Sequence, residues 1–407
     1  MDLKERALKM HEENMGKLKV ASKVGVETED DLTLAYSPGV AYPCLEIAEN
    51  SDDIYKYTNK SNFVAIVSNG SAVLGLGNIG ASASTPVMEG KSVLFKEFGA
   101  IDGFPICLDT EDSEEIIKTV KMMEPVFGGI NLEDIKAPEC FIIEDRLKEE
   151  MDIPVFHDDQ HGTAIIALGA LINSLKIVDK KMEDILVVIS GAGAAGISLA
   201  KIIMEKGVRN IVLIDSKGAL YEGRDNMTIA QQEIAQKTNI EQKKGKLGDV
   251  IDGADVFLGV SVADVMTEEM VKAMADDPIV FPMANPDPEI DPKLAFKAGA
   301  KIVGTGRSDY PNQINNVLAF PGVFRGALDV RAKEINMEMK LAAAKALADL
   351  VSEDELKPSY VIPKPFDNRV GPHIAAAVAE VAVKTGVARR EMTYEEEFKN
   401  AERLLAK

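Results

Sequence analysis

Residues 184–216 read DILVVISGAGAAGISLAKIIMEKGVRNIVLIDS, and this stretch decides the fold class. A β-branched run leads into the turn Gly191-Ala-Gly193-Ala-Ala-Gly196, then an apolar helical pattern, then a second β-branched run that ends at Asp215. The glycines permit a tight turn and close approach of a pyrophosphate, and the helix supplies N–H groups and the positive end of its dipole. Asp215 lies 24 residues after Gly191, near the distance at which a carboxylate meets the adenine ribose. The stretch predicts a Rossmann-type dinucleotide-binding unit, with a glycine-rich turn that binds nothing as the alternative.

The residues around Asp215 leave the choice between NAD and NADP open. The charge of Asp215 repels a 2′-phosphate and so slightly favours NAD. Ser216 and Lys217 follow at once, however, and can bind that phosphate if Asp215 turns away. The cofactor contacts predicted from this stretch are Gly191, Ala192, Gly193, Ala194, Ala195, Gly196 and Asp215.

Further strands are predicted after this unit, and shorter ones before it. The runs ADVFLGV (254–260), PIVFPMA (278–284) and AKIVGTG (300–306) alternate with helical or loop segments, which is typical of a parallel sheet with helices on both faces. Before residue 160 the strands are shorter and the turns rich in glycine. The sequence therefore predicts an α/β protein with two domains, an N-terminal α/β domain (1–160), to which the resemblance described below assigns the substrate and the metal, and a C-terminal Rossmann-type doubly wound parallel sheet (161–385), followed by a helical tail (386–407).

A second glycine fingerprint, Gly75-Leu-Gly77-Asn-Ile-Gly80, is less convincing as a nucleotide site. It also follows a strand, but Pro86 comes six residues later, which makes ASASTPVMEG a poor helix start. We expect a tight loop that lines a catalytic cleft instead.

Charge and composition exclude several classes of protein. The 407 residues include 46 basic and 66 acidic ones, a net charge of −20, which disfavours nucleic acid and anionic membranes as partners. Cys44, Cys107 and Cys140 form no CxxC pair, and we find neither a signal core nor an apolar run that approaches a membrane span. We expect a cytoplasmic protein.

Paired acids follow two of the predicted strands. Glu133 and Asp134 end one apolar run, and Asp158 and Asp159 follow IPVF. Carboxylates in such places are costly unless they are solvated or bind a cation, and oxygen ligands suit Mg²⁺ or Mn²⁺. Two solvated turns are the alternative. His157 and His161 raise the possibility of zinc, but no further His or Cys lies nearby.

Seven segments together resemble the malic enzymes, in the compact form of bacteria and archaea. The resemblance runs from about residue 10 to 385, and several of its motifs are long and specific. The segments are LAYSPGVAYPCLEIAEN (34–50), VSNGSAVLGLGNIGASASTPVMEGKSVLFKEFGAIDGFP (67–105), NLEDI (131–135), VFHDDQHGTA (155–164), GAGAAG (191–196), MANPDPEI (283–290) and GTGRSDYPNQINNVLAFPG (304–322).

The resemblance implies oxidative decarboxylation of (S)-malate to pyruvate and CO₂, with reduction of NAD(P)⁺ and with Mg²⁺ or Mn²⁺. Oxaloacetate is a further expected substrate. Lys91 matches the family's base for the C2 hydroxyl, and we expect burial and a nearby cation to lower its pKa from about 10.4 toward about 7–8. The other implied roles are C3 protonation for Tyr36, a shared proton network for Asp158, metal binding for Glu133, Asp134 and Asp159, and substrate binding for Lys91, Asn285 and Asn315, with Asn285 also near the cofactor.

Two other classes of function stay open from the sequence. A metal-independent amino-acid or hydroxy-acid dehydrogenase of the same architecture would survive a strong chelator, and a nucleotide-binding sensor would not need Lys91 or Tyr36. By family analogy we expect a homodimer or higher homo-oligomer, in which the N-terminal helices can be exchanged. No allosteric site is predicted.

Overall fold

A computed structural model describes residues 2–406. Residues 2–58, the N-terminal arm, contain no residue that is buried within the chain. Helices α1 and α2 of the arm begin at capping boxes; in α1, Asp2 accepts from the Glu5 N–H and Glu5 accepts from the Asp2 N–H in return. The helices of the arm are α1 (Leu3–Asn14), α2 (Glu29–Ala35), α3 (Ala41–Glu49) and α4 (Ile54–Tyr57).

A four-stranded parallel sheet forms the core of the first lobe. Its order is β2-β1-β3-β4, and its central strands are β-branched or apolar and almost completely buried. The strands are β1 (Phe63–Ser68), β2 (Asp102–Cys107), β3 (Gly129–Leu132) and β4 (Val155–His157). The helices of this lobe are α5 (Gly80–Gly99), α6 (Ser113–Met123) and α7 (Glu139–Glu150).

Helix α5 corrects our expectation of a loop after the first glycine fingerprint. It begins at Gly80 and contains Pro86. Proline removes one N–H and frees the carbonyl four residues earlier, at Ser82, but both residues lie on the exposed face, where water can satisfy the carbonyl. The buried face carries Ala81, Ser84, Met88, Ser92 and Phe95 at helical spacing. This periodic apolar face outweighs the cost of the proline.

The second lobe is the predicted Rossmann-type sheet, with the order β10-β9-β8-β5-β6-β7 and only β7 antiparallel. The chain runs outward in one direction from β5 through β6 and in the other from β8, so a crevice opens at the carboxyl ends of β5 and β8. The strands are β5 (Leu186–Ser190), β6 (Asn210–Asp215), β7 (Gly218–Ala219), β8 (Val256–Gly259), β9 (Ile279–Pro282) and β10 (Ile302–Val303). The expected α/β fold with two parallel-sheet lobes is confirmed.

The remaining helices surround and join the lobes. Helix α14 packs against α5 of the first lobe, where the Phe95 ring meets the Phe320 and Phe324 rings at centroid distances of 4.7 and 5.2 Å. The helices are α8 (Asp158–Val178), α9 (Ala194–Glu205), α10 (Ile229–Ala235), α11 (Leu247–Val250), α12 (Glu268–Ala273), α13 (Pro292–Ala298), α14 (Phe320–Asp329), α15 (Met337–Asp349), α16 (Val370–Lys384) and α17 (Tyr394–Leu405).

Helix α8 links the two lobes and corrects two expectations. It begins at Asp158, directly after β4, where we expected a polar turn. It is also long and apolar enough, by length and composition, to cross a membrane, which we did not expect of any segment. Its most apolar part is 67% buried inside the protein, because α8 packs between α9 and α15. The apolar composition is therefore accounted for by packing within the chain.

Candidate active site

Three carboxylates meet at the carboxyl end of the first sheet. Glu133 and Asp134 follow β3, and Asp159 follows the neighbouring parallel strand β4, so the sheet brings them to one edge. One oxygen from each lies within 4.8 Å of the others. Asp134 adopts the left-handed conformation (φ 54°), and its N–H donates to Asp159 Oδ2 at 2.8 Å. This turn helps to bring carboxylate oxygens of Glu133, Asp134 and Asp159 close together.

The electrostatics of this cluster favour a bound cation. Burial and the charges of neighbouring carboxylates raise the pKa of Glu133 to about 8 and the pKa values of Asp134 and Asp159 to about 7. Asp134 Oδ2 is buried without a hydrogen-bond partner. A divalent ion would satisfy that oxygen and lower all three pKa values. The donors are carboxylate oxygens, which fits Mg²⁺ or Mn²⁺ rather than zinc.

Lys91, on α5, lies beside the cluster. Its Nζ is 2.7 Å from Asp158 Oδ2, 2.8 Å from Glu133 Oε1 and 4.5 Å from the centre of the Phe320 ring. Burial lowers the pKa of Lys91, but the charges of Asp158 and Glu133 outweigh burial, and the net pKa is raised. Without a cation, the two nearby carboxylates therefore raise this pKa; our expectation that burial and a bound cation together lower it stays a prediction.

Two asparagines that the sequence reasoning missed hold the acids in place. Asn131 Nδ2 donates to Glu133 Oε2 at 2.8 Å, and Asn316 Nδ2 donates to Asp158 Oδ2 at 3.1 Å. Asn316 follows Asn315 directly in the predicted substrate motif, so the motif could have indicated it; the substrate role of Asn315 stays a prediction. Asn315 Oδ1 accepts from the Val317 N–H at 3.0 Å, and no hydrogen bond from its side-chain NH₂ is found among residues 2–406.

Tyr36 is not brought to this cluster by its own chain. It ends α2 in the N-terminal arm and is 69% exposed. Within residues 2–406 its hydrogen bonds are backbone ones, to Leu32 and Val40, and no contact joins it to Lys91 or Asp158. The cluster that one chain forms therefore includes Lys91 and the acids but not Tyr36.

The glycine turn after β5 has the features of a pyrophosphate cradle. A Cβ on Gly191 would lie 2.5 Å from Val260 O, and one on Gly196 would lie 1.7 Å from Gly191 O. A Cβ on Gly193 would meet nothing within 4 Å, so its space is open to a ligand. Helix α9 begins at Ala194 without a side-chain cap, and its first N–H groups, with Ala195 among them, face that space. Ala192 is buried, and its carbonyl accepts from Gln231.

Asp215 is already engaged by its own chain. Its Oδ1 accepts from the N–H groups of Lys217 (2.8 Å) and Gly218 (3.1 Å), and Arg224 pairs with both carboxylate oxygens. Burial raises the pKa of Asp215, but the bonds to Arg224 and Lys217 outweigh it and lower the pKa. Ser216 and the Lys217 side chain lie exposed beside this pair.

Asn285 lies in the loop after β9, close to the loop of the first glycine fingerprint. Gly306 leaves room for its side chain, since a Cβ there would lie 2.9 Å from Asn285 Nδ2. The loop of the first glycine fingerprint approaches the same segment, with the Gly75 Cβ position 3.2 Å from Pro286 Cδ. That loop therefore lies between the lobes.

Comparison with known protein families matches nearly the whole chain. Residues 15–148 match the model of the malic enzyme N-terminal domain, and residues 160–383 match that of the malic enzyme NAD-binding domain.

Several curated relatives are similar over most of this chain. A bifunctional malic/malolactic enzyme of Bacillus subtilis is 62% identical over 96% of this chain and 95% of its own length. An NAD-dependent malic enzyme of Geobacillus stearothermophilus is 60% identical over 92% of this chain and 78% of its own. An NADP-dependent malic enzyme of Escherichia coli is 52% identical over 95% of this chain but only 53% of its own, longer sequence.

The fold also matches a solved structure closely. The crystal structure of a malic enzyme from Pyrococcus horikoshii superposes with a TM-score of 0.96 and 47% identity, and the match covers 99% of this chain and 96% of that one.

Proposed function

Because this chain belongs to the malic enzyme family, we propose that it converts (S)-malate and NAD(P)⁺ to pyruvate, CO₂ and NAD(P)H with the help of a divalent cation. The observation that carries the proposal is the meeting of Glu133, Asp134 and Asp159 beside the buried Lys91. We propose that the same residues decarboxylate oxaloacetate, because that reaction needs no hydride transfer.

We propose that the three carboxylates hold Mg²⁺ or Mn²⁺. When bound, such an ion polarises the C2 oxygen of malate, and its charge opposes the pull of the carboxylates on the Lys91 proton. Lys91 then takes the proton of the C2 hydroxyl, and Asp158 and Asn316 keep the amine at the place where it receives it. The NH₂ of Asn315 can bind a substrate carboxylate without adding charge, and Asn285 can contact substrate and cofactor together.

We propose that the nucleotide binds with its pyrophosphate on the turn from Gly191 to Gly196. Its nicotinamide would then lie near C2 of malate and could accept the hydride. Arg224 neutralises Asp215, so the charge argument that favoured NAD is weakened. Lys217 and Ser216 remain available for a 2′-phosphate. We therefore propose that both NAD and NADP are used. The test is kcat/KM for each nucleotide, and Lys217→Glu should depress the NADP value at least about tenfold more than the NAD value.

We propose that the active protein is a homodimer in which the partner chain supplies Tyr36 to protonate C3 of enolpyruvate. The arm that carries Tyr36 exposes large apolar side chains, among them Leu3, Met15, Val20 and Leu34. The chain exposes 19578 Å², about 4,000 Å² more than the roughly 15,500 Å² of a compact monomer of this mass. Summed over two chains this excess is about 8,000 Å², above the roughly 2,000–5,000 Å² in total that many obligate dimers bury, and it supports an extensive interface.

A second candidate activity is the conversion of malate to lactate and CO₂. It is favoured by the 62% identity to a protein named as both a malic and a malolactic enzyme. The same site would serve if the nucleotide stayed bound and returned its hydride to pyruvate. Separate measurement of lactate and pyruvate at substoichiometric NAD distinguishes the two outcomes, because only the lactate route consumes more malate than the NAD supplied.

We propose that the protein works in the cytoplasm. The free thiols of Cys44, Cys107 and Cys140 support a reducing compartment, and cell fractionation with an antibody tests it.

The main proposal is tested by incubating purified protein with malate, Mn²⁺ and either nucleotide. We expect absorbance at 340 nm to rise with equimolar pyruvate, and we expect a strong chelator to stop the reaction. Turnover that survives the chelator would point instead to a metal-independent dehydrogenase. Silence with both nucleotides, in the presence of Mn²⁺ or Mg²⁺, would reject the proposal.

A further inference from the structure

His161 stands at the junction of four helices. It lies in the first turn of α8, two residues after Asp159. Its Nε2 is 2.8 Å from Glu144 Oε1 on α7. Its Nδ1 is 3.0 Å from Ser198 Oγ on α9 and 3.2 Å from Lys340 Nζ on α15. The imidazole thus touches one helix of the first lobe, one of the second lobe and one of the C-terminal helices.

The hydrogen bonds of this junction are mutually consistent. Glu144 also accepts from the His157 N–H (3.2 Å) and from Lys148 Nζ (2.6 Å), so it is an ionised acceptor. His161 must therefore donate through Nε2, which leaves the single lone pair of Nδ1 to be shared by the Ser198 hydroxyl and Lys340 Nζ. Glu144 and Lys340 are 2% and 6% exposed. A satisfied network this deep is rigid, since any shift leaves a buried polar group without a partner.

The network connects the first turn of α8 with α9, and these are the two elements that would bind malate with its metal and the nucleotide. The first turn of α8 carries Asp158 and Asp159, which belong to the metal cluster and the Lys91 pair. Ser198 lies on α9, in the turn after the glycine cradle. The bond from His161 to Ser198 therefore joins the metal and malate side of the crevice to the nucleotide side.

We propose that His161 is a positioning residue, which through Ser198 fixes the distance between C2 of malate and the nicotinamide. This inference rests on the proposed function. In hydride transfer, C2 gives up hydrogen and two electrons to the nicotinamide while Lys91 takes the hydroxyl proton. Rates of such steps fall steeply when the reactants are misplaced by fractions of an ångström. Decarboxylation of oxaloacetate transfers no hydride, so its rate should not depend on the distance to the nicotinamide.

Ser198→Ala is the sharpest test, because it removes only the hydroxyl that ties α9 to His161. Ser174→Ala is the matched control, since Ser174 is also buried but bonds only within α8, to Ala170 O. We expect Ser198→Ala to lower kcat for malate oxidation roughly threefold or more, and His161→Asn about tenfold or more. His373→Asn, remote from the crevice, is the control for the histidine.

Three readouts separate positioning from a general structural effect. Oxaloacetate decarboxylation by the variants should stay within about twofold of wild type, as should the Kd values for Mn²⁺ alone and NAD⁺ alone. The deuterium isotope effect on kcat/KM with malate labelled at C2 should rise, because hydride transfer becomes more nearly rate-limiting. These readouts are independent of whether the variant is slightly less stable.

The inference is overturned if oxidation and decarboxylation fall together, or if neither falls. Should His161→Asn fail to fold, Ser198→Ala and Lys340→Met decide the matter on the same criteria. A failure of the proposed function is recognised separately, since wild-type protein would then not oxidise malate at all.

Discussion

Gly162 leaves the space that the Asp158 side chain occupies. A Cβ at Gly162 would lie 2.0 Å from Asp158 Oδ1 and 3.2 Å from Asn316 Cγ. The Asp158 carboxylate, which pairs with Lys91, can take this position because Gly162, one turn later in α8, has no side chain. Hydrogen bonds then hold the carboxylate there.

Gly162→Ala should therefore disable the site while the fold persists. The methyl group would push Asp158 away from Lys91, and we expect kcat for malate oxidation to fall about 100-fold. Circular dichroism and the unfolding midpoint check the fold. Gly90→Ala is the control, because a Cβ at Gly90 meets nothing within 4 Å. If the Gly162 variant matches that control in activity, the placement of Asp158 is not critical.

Lys91→Met should abolish the proton transfer but keep the metal site. We expect malate oxidation to fall about 10²–10⁴-fold, the usual contribution of a positioned base. Mn²⁺ should bind at least as tightly as in wild type, because the positive charge 2.8 Å from Glu133 is gone. Titration calorimetry and a coupled 340 nm assay measure the two effects. Lys96→Met is the matched control on the exposed face of the same helix. Near-normal oxidation by Lys91→Met would show that another group is the base.

Asp159→Asn should weaken Mn²⁺ binding by at least about tenfold, because it removes one charge from the three-carboxylate cluster. The activity lost should return partly at high Mn²⁺ concentration. Calorimetry with the metal alone measures affinity directly, with exposed Glu149→Gln as the control. An unchanged Mn²⁺ titration would remove Asp159 from the ligand set.

Mixing two inactive variants tests whether Tyr36 acts across a dimer. A chain with Tyr36→Phe and a chain with Lys91→Met, coexpressed at equal levels, should form mixed dimers in which one of the two sites is intact. We expect about one quarter of wild-type activity from the statistical mixture. No recovery from dimers that are shown to be mixed would place both residues in the same chain's site.

Glu397 should make the stability of the protein fall as pH rises. It lies buried on α17, where burial and the charge of Asp329 on α14 raise its pKa to about 9 from an ordinary 4.5. The folded state then binds more protons than the unfolded one between these values, so the free energy of unfolding decreases with pH across that window. Glu397→Gln should flatten this dependence and raise the melting temperature at pH 9 by about 2 °C or more. Exposed Glu395→Gln is the control on the same helix, and equal pH profiles for wild type and Glu397→Gln would contradict the assignment.

The parts of the fold that follow from local rules were predictable from the sequence. The turn from Gly191 to Gly196 needs glycine for close backbone contacts, and the β-branched runs on either side follow from burial in a parallel sheet. The start of helix α5 was not predicted because Pro86 locally disfavours a helix. The apolar face of α5 that offsets this cost can be identified only when the sheet it packs on is known. The early start of α8 was missed for a similar reason, since HDDQHG is polar but its first turn lies at a sheet edge.

The acids and Lys91 could be predicted as members of the site from the sequence, but Asn131 and Asn316 and the interactions among these residues could not. The acids after β3 and β4 lie close together because those strands are neighbours in the sheet. The sequence of neither segment specifies this strand order, so the contact could not be predicted. The raised pKa of Lys91 depends on distances to Asp158 and Glu133 that no motif specifies. The same holds for Arg224, nine residues after Asp215, whose pairing depends on how the β6–β7 turn folds back. The position of Tyr36 depends on the arm, which contains no residue buried within its own chain.

The bare N-terminal arm has a consequence for how the protein is made and stored. In the proposed homodimer, each newly synthesised chain exposes the apolar side chains of its arm until it pairs with a second chain, so the yield of active protein should depend on chain concentration and on chaperones that bind the arm. Extreme dilution should inactivate the enzyme slowly even though both lobes stay intact.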